Sequence, residues 1–318
     1  MLARLQHRIG PNRAGYLPIP WRGGEKRFLS GFMQPAADAV KLFMKEDPTP
    51  AKVDKITYNL APMLAVIPAI LILAVIPWAP AFRLGPWRFT PYFAIAPGIN
   101  VGVLFILAIT SIGVYGIILA GWASNSKYAI MGGIRASAQM ISYELALGII
   151  VLIPIMMANS MNLGEIVRQQ AHGHWIAVWP FFLGVPAFVV FLMAMLAESN
   201  RIPFDIPEAE SELVAGVTTE YTGMKFALFY LAEYAHTLIA SALAATLFLG
   251  GWDGPIAPGL HWLLLKTFVL FGCVYWVRWT LLRFRSDQLL HICWTWLVPA
   301  GVVLVMGAGA WVAWGPSA

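Results

Sequence analysis

Residues Ala197–Tyr221, AESNRIPFDIPEAESELVAGVTTEY, decide the fold class of this chain of 318 residues. Apolar runs long enough to cross a bilayer lie on both sides of the stretch. Carboxylates held between such runs are costly unless they line water, pair with cations or carry protons. The stretch therefore predicts a membrane protein that handles charge. Its acids are Glu198, Asp205, Glu208, Glu210, Glu212 and Glu220, and Glu233 follows inside the next apolar run.

The composition of the whole chain supports this class, with 59% hydrophobic and 12% charged residues and a mean hydropathy of +0.70. Helices are predicted rather than strands because backbone polar groups in lipid must be satisfied within their own segment. We therefore predict an all-α polytopic membrane protein, a single membrane domain over residues 1–318 with about seven transmembrane helices. The predicted spans are Leu60–Trp78, Ile99–Trp122, Met140–Ala158, Ile176–Leu196, Phe226–Leu249, Leu260–Trp279 and Trp294–Trp314.

The distribution of cations predicts the orientation of the chain. With the N-terminus in the cytoplasm, the cytoplasmic segments hold all of the 21 lysines and arginines except Arg83, Arg88, Arg168 and Lys266. Such an excess is the positive-inside pattern. The formal net charge of +5 therefore reflects topology, and no nucleic-acid partner is predicted. Two further cytoplasmic loops are expected, a tight one at Ser124–Ser142 and a basic one at Arg278–Asp287.

Residues 1–57 are predicted to be a cytoplasmic segment without a cleavable signal peptide, because the first residues are basic and no apolar stretch follows them. Within it, Gln34–Glu46 has the apolar period of a short amphipathic helix that lies at the membrane surface, and Asp47-Pro48 ends it. This helix is either a simple connection or a surface that walls an amphiphilic ligand or docks a partner.

Three acids inside or at the end of apolar spans are the leading candidates for chemistry: Glu144, Glu198 and Glu233. A carboxylate at the centre of a spanning helix costs about 2.5–3.5 kcal/mol. Burial favours the protonated form and brings a carboxyl group toward the range that is useful for a proton relay. The alternative is a protonated acid that only bonds a neighbouring helix. Glu208 and Glu212 share one face if their loop is helical, and a solvated acidic loop is the alternative there.

Other chemistries find little support in the sequence. Cys273 and Cys293 cannot hold an iron–sulfur cluster, which needs about four ligands, and we interpret both as structural. His236 and His261 have no haem motif around them, and we expect them to serve packing. The sequence shows no nucleophile triad, no phosphate-binding loop and no dinucleotide-binding motif. We therefore expect this chain to bind no NADH and no redox metal of its own.

Long motifs along the whole chain resemble the H-subunit family of proton-pumping NADH–quinone oxidoreductase, respiratory complex I, whose mitochondrial counterpart is subunit 1. The motifs are RIGPNR at Arg8–Arg13, QPAADAVKLFMKED at Gln34–Asp47, GWASNSKYAIMGGIRASAQMISYE at Gly121–Glu144, AESNRIPFDIPEAESELVAG at Ala197–Gly216, EYTGMKFALFYLAEY at Glu220–Tyr234 and RFRSDQL at Arg283–Leu289.

The resemblance implies tilted transmembrane helices whose cytoplasmic loops meet hydrophilic, redox-carrying partner subunits around a long quinone cavity. It also implies ubiquinone or menaquinone as substrate, with no metal, flavin or iron–sulfur cluster in this chain, and a bacterial cytoplasmic membrane as the location. By position, the residues implied to line the cavity are Arg8, Asp38, Lys41, Arg278 and Arg283. The residues implied to form an acidic relay toward the pumping subunits are Glu144, Glu198, Glu208, Glu210, Glu212, Glu220 and Glu233.

The chain departs from the family pattern in three places. Family members carry eight spans, with a helix ahead of the first motif, whereas this chain starts almost on that motif; an apolar segment encoded before Met1 would restore the eighth. The stretch Tyr16–Phe32 is longer than the usual link, and Thr295 stands where the family commonly has lysine. The alternatives are the equivalent subunit of a membrane-bound hydrogenase or formate hydrogenlyase, an independent ion or solute transporter, and a pure docking scaffold.

Overall fold

The computed structural model is built almost entirely of helices. It describes residues 7–8, 17–21, 24–28, 33–80, 83–84, 87–88, 99–171, 175–177, 180–207, 210–255 and 258–314. The helices are α1 Gln34–Met44, α2 Lys55–Val75, α3 Gly102–Ala123, α4 Lys127–Ala158, α5 Leu163–Gln170, α6 Phe181–Glu198, α7 Glu210–Leu213, α8 Gly223–Phe248, α9 Leu260–Thr280, α10 Ser286–Ile292 and α11 Val298–Trp314.

Shorter elements complete the chain. A 3₁₀ turn occupies Gly216–Thr218, and a π-helical segment, Cys293–Leu297, joins α10 to α11. Strands β1 Leu17–Trp21 and β2 Gly24–Phe28 form an antiparallel hairpin in which Trp21 is paired with Gly24. Strands β3 Arg83–Leu84 and β4 Trp87–Arg88 form a second, smaller one. The longer link noted at Tyr16–Phe32 therefore contains a hairpin that the sequence analysis did not predict.

The prediction of an all-α polytopic membrane protein is confirmed. Six helices of the described part are long and apolar enough to cross a membrane, and Phe182–Glu198 is a shorter apolar helix. The six are Lys55–Val75, Gly102–Ala123, Lys127–Ala158, Gly223–Phe248, Leu260–Thr280 and Ser286–Trp314. The seven predicted spans correspond to these six and the shorter helix. The amphipathic helix predicted at Gln34–Glu46 is α1.

Two predicted boundaries were wrong. Most of the loop expected at Ser124–Ser142 is helical, because α4 already begins at Lys127 and runs for 32 residues. Small residues such as Gly132 and Gly133 do not break this helix, since both are buried against neighbouring backbone. The span expected from Ile176 begins only at Phe181. Pro180 precedes it in extended conformation, and residues before a proline disfavour the helical region.

Small residues set the closest helix contacts. A Cβ atom added to Gly116 of α3 would lie 2.8 Å from the backbone nitrogen of Ala65 in α2, so these two helices pack backbone to backbone. A Cβ atom added to Gly121 would lie 2.8 Å from the carbonyl oxygen of Ala129, where α3 turns into α4. Such close approach is typical of helices that associate in membranes, where small residues line the interface.

The stretch that connects α6 to α8 is held against α4 at several points. The buried Gln139 donates hydrogen bonds from Nε2 to the carbonyls of Ala197 and Phe204, both at 2.8 Å. A Cβ atom added to Gly132 would lie 3.0 Å from the backbone nitrogen of Val217, so the 3₁₀ turn rests directly on α4. We call the part of the bundle formed by residues 197–222, with the adjoining helix ends, the acidic end.

Candidate functional site

A cavity of about 780 Å³, counted together with its open mouth, lies at the acidic end. Helices α2, α3, α4, α6 and α8 and the stretch after α6 all contribute to its wall. Three titratable side chains line it: Glu198, Glu233 and His236. Polar groups of Thr110 and Asn200 line it as well. The site therefore joins two of the acids that the sequence singled out with a histidine that it did not.

Arg201 is the buried cation of this site. Its side chain is only 2% exposed, and its Nη1 lies 2.9 Å from Oε1 of Glu233, which is 16% exposed. The guanidinium carbon lies 4.1 Å from the centre of the Tyr234 ring and 5.9 Å from that of Tyr275. Taking both charges out of water is expensive and is repaid only by close pairing and further hydrogen bonds. The ion pair therefore explains how Glu233 is accommodated in an apolar helix.

The hydrogen-bond capacity of Arg201 is not exhausted by Glu233. Its Nε and Nη2 are buried and find no hydrogen-bond partner among the described residues. The same holds for the Tyr275 hydroxyl and the Trp279 indole nitrogen, both on α9. Tyr275 and Trp279 are four residues apart and share a helix face. This side of Arg201 is thus rich in donors and short of acceptors, which is unusual for buried polar groups.

Glu144 lies close to the same cluster. Ser111 of α3 donates a hydrogen bond from its Oγ to Oε1 of Glu144 on α4. The carboxyl group of Glu144 is near enough to Glu198 for the two to repel each other electrostatically. All three acids proposed from the sequence for buried chemistry, Glu144, Glu198 and Glu233, are therefore brought together at the acidic end, from three different helices.

His236 follows Glu233 by three residues on α8, so the two side chains lie on one face of the helix. The imidazole lies within hydrogen-bonding reach of the Ala65 backbone. The ring also packs against Gly113 of α3, where an added Cβ atom would lie 3.6 Å from His236 Nε2. The expectation that His236 serves packing is thus incomplete, because its ring is part of the cavity wall.

The other acids of the predicted relay lie apart from this cluster or outside the described part. Glu212 is half exposed and forms an ion pair with Arg135 of α4, with Oε2 and Nη1 separated by 2.6 Å. The carbonyl oxygen of Glu220 accepts a hydrogen bond of 2.7 Å from the Tyr58 hydroxyl. Glu208 lies outside the described residues, and only the backbone of Glu210 is described.

A second, partly buried cluster joins the end of α1 to the acidic end. Lys225 of α8 pairs with Asp47 at 3.1 Å, just after α1. Its Nζ also lies 4.7 Å from the centre of the Tyr58 ring. Tyr58 stacks on Tyr221 with ring centres 4.2 Å apart, and burial raises the pKa of the Tyr221 phenol, as does the nearby Tyr58. Gly223 has a φ of +58° and lies against the carbonyls that end α1, a position that suits only glycine.

The residues implied to line a quinone cavity fall into separate places. Asp38 and Lys41 lie together on α1, 3.4 Å apart and well exposed. Arg278 lies in the last turn of α9, with its guanidinium 6.0 Å from the Trp279 ring centre. Arg283 lies in the link between α9 and α10, and Arg8 is exposed in a short described segment near the N-terminus.

Comparison with known proteins identifies the family. A sequence model of the NADH dehydrogenase family matches residues 1–309. The chain is 44% identical to the second H subunit of NADH-quinone oxidoreductase from Geobacter metallireducens, over 97% of this chain and 87% of that protein. It is 45% identical to the second H subunit from Syntrophobacter fumaroxidans, over 98% and 88%. It is 43% identical to the H subunit from Burkholderia vietnamiensis, over 96% and 82%.

The chain belongs to the H-subunit family of NADH-quinone oxidoreductase. The family resemblance inferred from the motifs is thereby confirmed. Membership makes the chain one membrane component of an oxidoreductase complex, which works with other subunits. The alternative of a hydrogenase component is not favoured by these relatives.

Two residues of this H-subunit site escaped the sequence analysis. Arg201 was counted only as a cytoplasmic cation, and its pairing with a residue 32 positions away on another helix has no local signal. His236 carried a signal in its three-residue spacing from Glu233. Within the described residues, no group of three or more His, Cys, Asp and Glu side chains is placed to hold a metal ion.

Proposed function

We propose that this chain supplies the quinone-binding wall and the proton-coupling acids of a proton-pumping NADH–quinone oxidoreductase. The single observation that carries the proposal is the cavity at the acidic end, in which Glu198 and Glu233 face the same space and Arg201 is buried beside Glu233. Family membership supplies the reaction, and the cavity supplies a place where that reaction changes the charge of the membrane subunit.

Quinone reduction takes up protons together with electrons, so a group near the quinone must release protons or conduct them. The electrons come from a redox centre in a partner subunit, because this chain carries no redox motif. Glu198 and Glu233 line one cavity and Glu144 lies near Glu198, so we propose that a proton taken from one acid changes the protonation of the next. The coupling is therefore electrostatic at its origin: a charge that appears at Arg201–Glu233 is felt by Glu198 and then by Glu144.

The donors around Arg201 suit the substrate class. A quinone presents carbonyl oxygens, which accept hydrogen bonds and donate none. Arg201 Nε and Nη2, the Tyr275 hydroxyl and the Trp279 indole nitrogen are among the buried donors that find no hydrogen-bond partner in the described part of the chain. Either a quinone carbonyl or ordered water satisfies such donors. Arg278 extends this donor-rich wall from the end of α9, and Asp38, Lys41, Arg283 and Arg8 are proposed as further lining positions.

The proposal also covers the orientation of the chain in the membrane and its partner subunits. We place the acidic end, with α1 and the N-terminus, on the cytoplasmic side of a bacterial inner membrane, because the cations of the sequence concentrate there. Glu208, Glu210, Glu212 and Glu220 are proposed as further members of the acidic relay that leads toward the pumping subunits. Small membrane subunits are proposed to receive the charge signal from Glu144.

Replacing Glu233, Glu198 or Glu144 with glutamine tests the proposal. NADH-driven quinone reduction and proton pumping are measured in inside-out membrane vesicles. Each variant is expected to lower both rates by about tenfold, the size of a typical coupling energy between sites. NADH oxidation by ferricyanide, which bypasses the quinone, reports assembly.

Glu165 provides the matched control. It is an exposed acid of α5, hydrogen-bonded by Ser160 and remote from the cavity. E165Q is expected to keep both rates, because it removes the same charge from a place without a role. Full pumping in E233Q, E198Q and E144Q would leave the proposal without support.

A further inference from the structure

His236 extends the set of acids to a group that belongs to no motif quoted from the sequence. We infer that His236 is a proton-carrying residue of the cavity, which exchanges protons with Glu233 and Glu198 during turnover. This inference rests on the proposed function and adds a specific residue to it. Only imidazole among the side chains of the cavity wall has an ordinary titration range that spans neutral pH.

The placement of His236 supports this role. It shares the cavity wall with Glu198 and Glu233, and its position three residues after Glu233 puts both on one face of α8. The cavity wall is mostly apolar but also carries the polar side chains of Thr110 and Asn200, and the space is large enough for ordered water. A proton can thus pass between a carboxyl group and the imidazole directly or through water, without a rearrangement of the helix.

The imidazole also has a backbone neighbour that can orient it. The Ala65 backbone lies within hydrogen-bonding reach of the ring, and Gly113 leaves room for the edge that carries Nε2. A neutral imidazole has one donor and one acceptor nitrogen. When one nitrogen is engaged by the Ala65 backbone, the other is left to exchange protons with groups in the cavity, as in other histidine shuttles.

The proton-transfer step is balanced within these groups. The carboxyl group of Glu233 or Glu198 loses its proton, the imidazole gains it, and the products are a carboxylate and an imidazolium. The imidazolium becomes neutral again when it passes the proton to the other carboxylate. The charged groups that share the cavity wall with His236 are Glu233 on α8 and Glu198 on α6. Arg201 pairs with Glu233, Glu144 of α4 lies near Glu198, and α2 contributes the Ala65 backbone.

The test is the variant H236Q. The glutamine amide keeps a hydrogen-bond donor but neither gains nor loses a proton near neutral pH. Quinone reduction and pumping are expected to fall about tenfold, and the pH profile of turnover should lack one ionisation that the wild type shows. In H236A the lost ring leaves space that joins the cavity, so added imidazole is expected to restore turnover. Ferricyanide reduction by NADH measures assembly in both variants, and H236N serves if H236A does not assemble.

His261 supplies the control. It lies at the start of α9, exposed beside Trp262, and lines no part of the cavity. H261Q should behave as wild type. A wild-type rate and pH profile in H236Q would overturn the inference. So would a slow H236Q with an unchanged pH profile and no imidazole response in H236A, since the side chain would then act through packing alone. Normal H236Q beside an impaired E233Q defeats only this inference, whereas full pumping in E233Q, E198Q and E144Q defeats the proposed function.

Discussion

Two buried cations, Arg201 and Lys266, differ in how completely their hydrogen-bond donors are satisfied. Lys266 of α9 is 8% exposed and donates to three carbonyl oxygens, of Leu249 and Asp253 at 2.6 Å and of Gly251 at 3.0 Å. Its ammonium has three donors, so its capacity is filled. Arg201 has an ion pair on one side and two nitrogens without a partner among the described residues on the other.

The difference teaches how a structural charge is told apart from one that serves a reaction. Lys266 closes the C-terminal end of α8, where carbonyl groups carry partial negative charge, and it leaves nothing for a ligand to satisfy. Arg201 pairs with a residue of the cavity wall, and two of its nitrogens have no hydrogen-bond acceptor among the described residues. A satisfied cation stabilises one arrangement, whereas an incompletely satisfied one responds when a ligand or a proton arrives.

The largest effect is expected for Arg201→Met. Removing one partner of a buried ion pair costs about 3–5 kcal/mol of stability, because the Glu233 carboxylate loses the guanidinium that lies 2.9 Å from it. The amount of assembled complex in membranes, measured by ferricyanide reduction, should fall with quinone reduction. The double variant R201M/E233Q should recover assembly without recovering pumping. Pumping in the double variant at the wild-type rate would mean that Arg201 and Lys266 are both merely structural.

A smaller and purely structural effect is expected for Lys266→Met. The variant leaves three carbonyls without their charged donor. Water that reaches these carbonyls replaces most of the lost hydrogen bonding, so the net loss of stability is about 1.5–3 kcal/mol in total. The complex should lose activity at a lower temperature in a heating series. Turnover per assembled complex should stay at the wild-type value. A change in the number of protons pumped per quinone reduced by K266M would show that Lys266, like Arg201, takes part in coupling.

Much of the fold could be predicted from the sequence because length and hydropathy alone identify spanning helices. The errors have local causes. The start of α4 was missed because SNSKYAIMGG is polar and rich in small residues, although its glycines are packed against other backbone. The start of α6 was set too early because Ile176 and Ala177 are apolar, yet they form a turn ahead of Pro180.

The candidate site was only partly predictable. Glu144, Glu198 and Glu233 stood out because a carboxylate in an apolar helix is costly. The shared cavity of Glu198 and Glu233, the approach of Glu144 to Glu198 and the pairing of Glu233 with Arg201 depend on how the helices pack and have no signature in the spacing of residues. The contrast between Arg201 and Lys266 could not be predicted either, because the sequence shows each only as a single cation beside apolar residues.

An intermediate effect is expected for Gln139→Leu, which sharpens the comparison by loosening the turn that carries Arg201. The amide of Gln139 holds the carbonyls of Ala197 and Phe204. Each carbonyl keeps a backbone donor, from Asn200 and Ile206, so the variant loses two hydrogen bonds worth about 0.5–1.5 kcal/mol each. The heating series should show a lower midpoint, and quinone reduction per complex should also fall, unlike in K266M. Unchanged turnover would show that the position of Arg201 does not depend on this turn.

The smallest effect on stability is expected for Arg135→Gln. Its ion pair with Glu212 is 35% and 50% exposed on the two sides, and pairs of this kind contribute about 0–1 kcal/mol. The heating midpoint of the variant should match that of wild type. A large loss of assembly would instead indicate that the pair is covered by a partner subunit in the complex.

The central claim is that acids of the cavity change protonation when the quinone is reduced. Infrared difference spectroscopy of the intact complex, recorded as the quinone goes from oxidised to reduced, measures this directly through the C=O band of protonated carboxyl groups. The account predicts a carboxyl band in the wild type that is lost or shifted in E233Q and E198Q and kept in E165Q. Difference spectra that are identical in the wild type and in both cavity variants would contradict it.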